Sequence, residues 1–194
     1  ECAGMLVSLH LAEAQECFYD KAATDGKSAG ILVKLAQQTH LFYEEVKTAL
    51  ASPPLSEHFE KSWSAHVAAK DAMFHAEALS RAAKMAEEDA EDIGSAVARL
   101  LVASTELHAA HRLAKNTGGI SVHCVGAVAT LRDAVDEQLR RAQRDNECVY
   151  MERVPAYEDV APLGAAAVVK AVRPPAEAVD ASAEDMFAAI VPES

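Results

Sequence analysis

The residues of this sequence with the greatest capacity for chemistry are its histidines, and one pair has the spacing of metal ligands. His108 and His111 lie three positions apart on a predicted helix, with Glu106 close by. A zinc protease helix requires the HExxH pattern, and a di-iron bundle requires Glu-x-x-His pairs. The sequence contains neither pattern. We therefore expect surface histidines, with no metal and no cofactor.

The carboxylates do not form an acid–base pair either. Glu44 and Glu45 are adjacent, as are Glu87 and Glu88, and neighbouring residues point to different faces of a helix. These pairs are typical of a solvated surface. The sequence therefore offers no set of catalytic residues for the alternative of an enzyme built on a helical bundle. The single tryptophan, Trp63, is expected in the core or as an anchor at a helix contact.

Composition narrows the class of protein further. The chain has 194 residues, with 18 Lys and Arg against 30 Asp and Glu, and a formal net charge of −12. This acidic balance disfavours a nucleic-acid groove, which needs concentrated basic side chains. A window of about 18 apolar residues, as a membrane helix needs, does not occur. The 41 alanines and only eight glycines favour closely packed helices.

Proline, glycine and apolar periodicity predict where the helices begin and end. They indicate helices over residues 4–23, 29–51 and 121–146, and a long helical stretch over 56–114 with a break at Glu88–Gly94. Short turns between long helices place them antiparallel. We therefore predict an all-α fold of long antiparallel helices in a solenoid-like body.

The chain changes character after Asn146. Five of the seven prolines lie within 151–194, yet apolar residues recur regularly along this segment. We predict a helical core over 1–146 and an extended arm over 147–194 that packs on the core. A short final helix is expected over 183–190.

Three segments together carry a resemblance to a known family. Residues 14–22, AQECFYDKA, and 30–38, GILVKLAQQ, are similar to two consecutive helices of the Bro-one (BRO) domain, the domain of Alix, the HD-type tyrosine phosphatase, Brox, the rhophilins and yeast Bro. Residues 145–155, DNECVYMERVP, resemble the signature that closes its helical core. The resemblance covers the chain in order and implies a TPR-like body. It also implies that this is the C-terminal half of a domain about twice as long.

The resemblance implies a binding module rather than an enzyme. The family binds the acidic C-terminal amphipathic helix of a Snf-seven-type subunit of the ESCRT-III filament. That interaction supports endosomal sorting, multivesicular body formation and membrane scission. It implies a cytoplasmic protein recruited to endosomes, with indirect membrane association and with other endosomal or signalling proteins as candidate further partners. The family's partner-helix site falls on Phe18, Lys21, Ile31 and Leu35.

The residues themselves are compatible with that site. Phe18 and Lys21 share one helix face, and Ile31 and Leu35 share a face of the next helix. A groove between the two helices would accept a partner helix, and Lys27 and Lys34 are expected at its rim, where they favour an acidic partner. Periodic apolar residues are also typical of an ordinary core, and that alternative stays open.

The closing motif contains a second candidate, Tyr150. The resemblance implies an exposed tyrosine loop that binds partners, whereas local packing of the ring is the alternative. The runner-up function for the whole chain is a structural helical-repeat scaffold with a different protein partner, such as a signalling adaptor of the rhophilin type.

Overall fold

The computed structural model describes residues 2–53, 55–89 and 92–172. Within these ranges the chain forms helices and turns and contains no β-strand. The α-helices are α1 Cys2–Thr24, α2 Ala29–Ala51, α3 Leu55–His58, α4 Lys61–Asp89, α5 Ile93–Asn116 and α6 Val122–Asp145. A π-helical turn, Asn146–Tyr150, and a 3₁₀ turn, Tyr157–Asp159, follow. The predicted helix over 183–190 lies outside the described residues.

Local sequence accounts for the helix ends. Gly26 has φ 67° in the turn between α1 and α2, a conformation that glycine adopts without strain. The predicted break at Glu88–Gly94 is confirmed, because α4 ends at Asp89 and α5 begins at Ile93. Asp92 caps α5, and its side chain accepts a hydrogen bond from the Ser95 amide. Ser121 caps α6 in the same way by accepting from the Cys124 amide.

The long helices form a row in which each packs mainly against its neighbours in sequence. The order of the row is α1, α2, α4, α5 and α6. One core lies among α1, α2 and α4, and a second lies among α4, α5 and α6. Alanines such as Ala76, Ala83 and Ala103 are fully buried, which allows the helices to approach closely. The prediction of an all-α, solenoid-like body of antiparallel helices is confirmed.

The region before α4 differs from the sequence-based expectation. The long helix begins at Lys61, after the four-residue α3, rather than at residue 56. Phe59 lies between these helices, and its ring centroid is 5.2 Å from that of Trp63. Trp63 is 42% exposed. The expectation of a core position was therefore wrong, and the alternative of an anchor at a helix contact fits its packing against Phe59, which is partly buried and packs on the first core.

The end of α6 is joined to the start of α5 by the closing motif. The Asn146 side-chain amide donates to the Glu152 carbonyl at 2.9 Å, and its oxygen accepts from the Glu152 amide at 3.0 Å. The Glu152 carboxylate accepts from the Gly94 amide at 2.8 Å. These bonds reverse the chain after α6 and satisfy an amide in the first turn of α5.

From this motif the chain runs back across the row of helices as an extended arm. Arg99 on α5 donates to the Ala161 carbonyl at 3.2 Å. Leu163 packs against both cores, and the Ala166 amide donates to the Lys34 carbonyl at 3.1 Å. The arm therefore reaches α2 and α1, the two helices that carry the predicted binding residues.

Candidate functional site

Two large apolar side chains are exposed on neighbouring helices near the turn that joins α1 to α2. Phe18 is 50% exposed and Ile31 is 47% exposed. Each helix has the rest of its apolar stripe in the core, including Tyr19 and Leu32 beside them. We call Phe18, Ile31 and the surface between them the apolar patch. Exposed side chains of this size on adjacent helices are available to a partner.

Leu35 does not lie at the surface with them. Its exposed fraction is 6%, and it belongs to the core formed by α1, α2 and α4. The expectation that Leu35 is exposed beside Ile31 is therefore corrected. The physical reason is that Leu35 lies on the side of α2 that packs against α1 and α4, in a core that Leu163 of the arm also contacts.

The three predicted lysines are all exposed. Lys21 lies one turn after Phe18 and its ammonium is 3.3 Å from the Asp25 carboxylate. Lys27 lies in the turn between the helices, and Lys34 lies one turn after Ile31. Exposed ion pairs of this kind contribute little to stability, so the lysines remain available to a partner's carboxylates.

The arm forms one boundary of the apolar patch, through a residue that sequence reasoning did not select. Gln15 is fully buried, one turn before Phe18. Its side-chain nitrogen donates to the Ala166 carbonyl at 2.9 Å, and its oxygen accepts from the Val168 amide at 3.1 Å. These two hydrogen bonds resemble those that join neighbouring β-strands. A buried glutamine within an apolar helix face is the signal that could have identified this contact.

Replacing Gln15 with Ala is expected to loosen the arm without unfolding the helices. The change leaves the Ala166 carbonyl and the Val168 amide without their partner, at a cost of about 1–3 kcal/mol. Hydrogen exchange should accelerate at the Val168 amide while the α4 and α5 amides stay protected. The control is Glu44→Gln, at an exposed position on α2. Unchanged exchange at Val168 would contradict the described contact.

Tyr150 is exposed, as the resemblance implied. It ends the π-helical turn and is 40% exposed, and Met151 after it has φ 54°. Val149 and Val154 are also exposed. Because Tyr150 follows α6 and Phe18 lies on α1, the two candidate sites are on opposite ends of the helix row.

The His108 and His111 pair faces α6. His108 Nε2 is 2.9 Å from the Asp136 carboxylate, and His111 Nδ1 is 2.9 Å from the Arg132 guanidinium. Burial raises the pKa of Asp136, but hydrogen bonds from Ser104 and His108 outweigh it and lower that pKa overall. Glu106 is bonded to a different residue, His75. Across the described part of the chain, no three His, Cys, Asp or Glu residues cluster as metal ligands would.

Among the described residues, none of the helices combines the length and apolarity needed to cross a bilayer. The row of antiparallel helices and the exposed patch between two of them define a helical-repeat interaction domain. The chain belongs to the BRO1-like domain family, whose model matches residues 1–194.

Similar proteins agree with this assignment. The chain is 38% identical over 194 residues to the vacuolar-sorting protein BRO1 of Arabidopsis thaliana, covering 100% of this chain and 22% of the relative. It is 31% identical over 191 residues to human tyrosine-protein phosphatase non-receptor type 23, covering 96% of this chain and 11% of that protein. The chain thus spans about a fifth or less of the length of these relatives.

Solved structures share the fold. The ALIX BRO1 CHMP4C complex matches with a TM-score of 0.73 and 27% identity, covering 87% of this chain and 44% of that chain. A structure described as the basis for endosomal targeting by the Bro1 domain matches with a TM-score of 0.69 and 19% identity, covering 86% and 45%. The second likeness concerns the fold alone.

Proposed function

We propose that this chain is the partner-binding part of a BRO1-like domain, and that its apolar patch binds the acidic C-terminal amphipathic helix of an ESCRT-III subunit. The observation that carries the proposal is the half-exposure of Phe18 and Ile31 on two adjacent helices, flanked by exposed lysines. In this proposal the domain acts by binding rather than by catalysis and uses no cofactor.

The patch suits a helix better than an extended peptide. Two exposed apolar anchors on adjacent helices can receive the apolar side chains that recur on one face of a partner helix. An extended peptide usually binds by backbone hydrogen bonds to an exposed β-strand edge. Here the side chain of Gln15 already makes its hydrogen bonds to the backbone of the chain's own arm. Leu35 and Tyr19 are buried in the core formed by α1, α2 and α4, so the two anchors are carried by helices that are fixed by that core.

Charge favours an acidic partner at this location. The chain as a whole is acidic, yet Lys21, Lys27 and Lys34 surround the patch. Acidic side chains on a partner helix would be attracted to these lysines during encounter, which raises the association rate more than the final affinity. Among the described residues, Asp25 is the one carboxylate that forms an ion pair with any of these lysines, and its partner is Lys21.

The known complex supports this choice of partner. The matching structure of ALIX is a complex of its BRO1 domain with CHMP4C, and we extend that type of partner to this chain. We further propose that the protein is cytoplasmic and is recruited to endosomes, with indirect membrane contact, in keeping with its vacuolar-sorting relative. The proposed limits are a helical core over 1–146 and an arm over 147–194. Tyr150 is proposed as a separate partner contact.

The role of the lysines can be tested with two variants of equal net charge. Changing Lys21, Lys27 and Lys34 to Gln is expected to weaken binding of an ESCRT-III C-terminal peptide by about tenfold at low salt, and less at high salt. The control changes the exposed Lys61, Lys84 and Lys115 to Gln, which lie on other elements. Titration calorimetry measures both.

The comparison separates a local effect from the change in net charge. If both triple variants weaken binding equally, the partner senses only the overall charge of the protein and the patch assignment fails. Absence of peptide binding by the unaltered chain would contradict the proposal itself.

A further inference from the structure

A cavity of about 280 Å³ lies between α1 and α4, beside the turn that follows α5. It is separate from the apolar patch, because the residues of α1 that line it lie nearer the start of that helix. Its main lining residues are Leu9, Glu13, Tyr43, Trp63, His66 and Val67. The volume is sufficient for one large side chain of a partner.

The walls of the cavity suit a long aliphatic stem. Leu9, Tyr43 and Val67 are buried and present apolar surface. Trp63 is 42% exposed and packs against Phe59, at a centroid distance of 5.2 Å and an interplanar angle of 57°. A half-exposed indole in the wall of a cavity can bind a cation on its ring, and tryptophan is the best of the aromatic side chains for that contact.

The charge at the cavity is negative. Glu13 is exposed, and one of its oxygens is 3.0 Å from His10 Nδ1, while its other oxygen has no hydrogen bond among the described residues. Glu16, one turn further along α1, is already satisfied, since it accepts from the Tyr43 hydroxyl at 2.7 Å and from Lys70 at 2.5 Å. Glu13 is thus the carboxylate available to a ligand.

Three basic groups lie near the cavity, and His10 among them occupies only one oxygen of Glu13. Lys70 is held by the Glu16 carboxylate. Burial lowers the pKa of His66, and the positive charge of Lys70 lowers it further. The imidazole in the wall is therefore neutral at physiological pH.

We propose that this cavity binds an arginine side chain from a basic segment of a partner protein. The aliphatic stem lies against Leu9 and Val67, and the guanidinium lies between the Trp63 ring and the Glu13 carboxylate. Planar guanidinium groups both stack on aromatic rings and bond to carboxylates. The chain then has two surfaces of opposite preference, with acidic partners at the lysine-flanked apolar patch and basic partners at this cavity.

The experiment uses the fluorescence of Trp63, which is the only tryptophan in the chain. N-acetyl-arginine amide is titrated into the full chain, with N-acetyl-citrulline amide as the neutral ligand of the same shape and N-acetyl-leucine amide as the apolar ligand. We expect a saturable change in emission with arginine, at millimolar affinity for so small a probe, and a response at least about tenfold weaker with citrulline.

Two variants of equal charge complete the test. Glu13→Gln should weaken the arginine response by about tenfold, and Glu44→Gln, an exposed glutamate on α2, should leave it unchanged. Both positions are exposed, so circular dichroism should be unaltered. The proposal is overturned if arginine gives no saturable change, if leucine or citrulline binds as well as arginine, or if the two variants behave alike.

Discussion

Replacing Ile31 with Asp is expected to leave the helices intact and to weaken binding of an ESCRT-III C-terminal peptide by at least about 30-fold. Ile31 is 47% exposed, so the change removes little from the core. It is also the third residue of α2, where a negative charge interacts favourably with the helix dipole. In the complex, however, the new carboxylate would face an acidic partner helix across an apolar contact.

Leu35→Asp provides the contrast, because only one turn separates these two residues. Leu35 is 6% exposed, and an aspartate there would be buried without a partner. We expect it to lower the free energy of unfolding by about 4 kcal/mol or more, or to prevent folding. Circular dichroism during urea denaturation measures the difference, and Leu35→Met serves as the control of similar volume, with an expected cost below about 1.5 kcal/mol.

Comparing the two variants tests whether Ile31 lies on the surface and Leu35 in the core. If Ile31→Asp also unfolds the chain, Ile31 is part of the core and the patch is not a free surface. If Leu35→Asp folds normally and only binding is lost, then Leu35 is a surface contact, as the family resemblance implied, and its place in the core formed by α1, α2 and α4 is wrong.

Gly94→Ala is expected to have the second large effect, through the closing motif. A Cβ atom at this position would lie 2.4 Å from the Arg153 carbonyl oxygen and 3.5 Å from Pro155 Cδ. The Arg153 backbone cannot move aside as easily as the end of a flexible side chain. The closing motif must therefore shift away from α5, and the hydrogen bond between the Gly94 amide and Glu152 is lost. We expect a loss of about 3 kcal/mol in the free energy of unfolding, together with faster hydrogen exchange along the arm.

The control is Gly126→Ala in the second turn of α6, where an added Cβ meets nothing within 4 Å. Alanine favours a helix more than glycine does, so this change should raise stability by about 1 kcal/mol. Opposite signs for the two Gly→Ala variants would confirm that the arm is docked at Gly94. Equal stability of the Gly94 variant and the unaltered chain would indicate that the arm does not approach α5 so closely.

Local signals in the sequence were sufficient for most of the helix boundaries. Gly26, Pro53 and the turn at 116–119 interrupt the apolar periodicity, and the structure ends its helices close to each of them. The break before Ile93 was predicted because one helix over 56–114 would be implausibly long and Gly94 is the single glycine within it, although the role of that glycine is different. Gly94 does not end a helix but lies in the first turn of α5, where the closing motif passes over it.

Contacts between distant segments were not predictable from local patterns. Periodicity places Ile31 and Leu35 on one face of α2, yet only Ile31 is exposed, because Leu35 belongs to a core built from three helices, which Leu163 of the arm joins more than 120 positions later in the chain. The role of Gln15 depends on the same long-range approach. The resemblance to the family supplied the site, and the structure then distinguished its exposed members from its buried one.

The central claim, that a partner helix lies on the apolar patch, is tested most directly by photo-crosslinking. Benzoylphenylalanine is placed at Ile31 in one chain and at Val122, an 88% exposed residue on α6, in another. After irradiation with an ESCRT-III C-terminal peptide, we expect a crosslinked product from position 31, competed by excess unlabelled peptide, and none from position 122. Crosslinking at position 122 but not at position 31, or peptide binding without any product at position 31, would contradict the account.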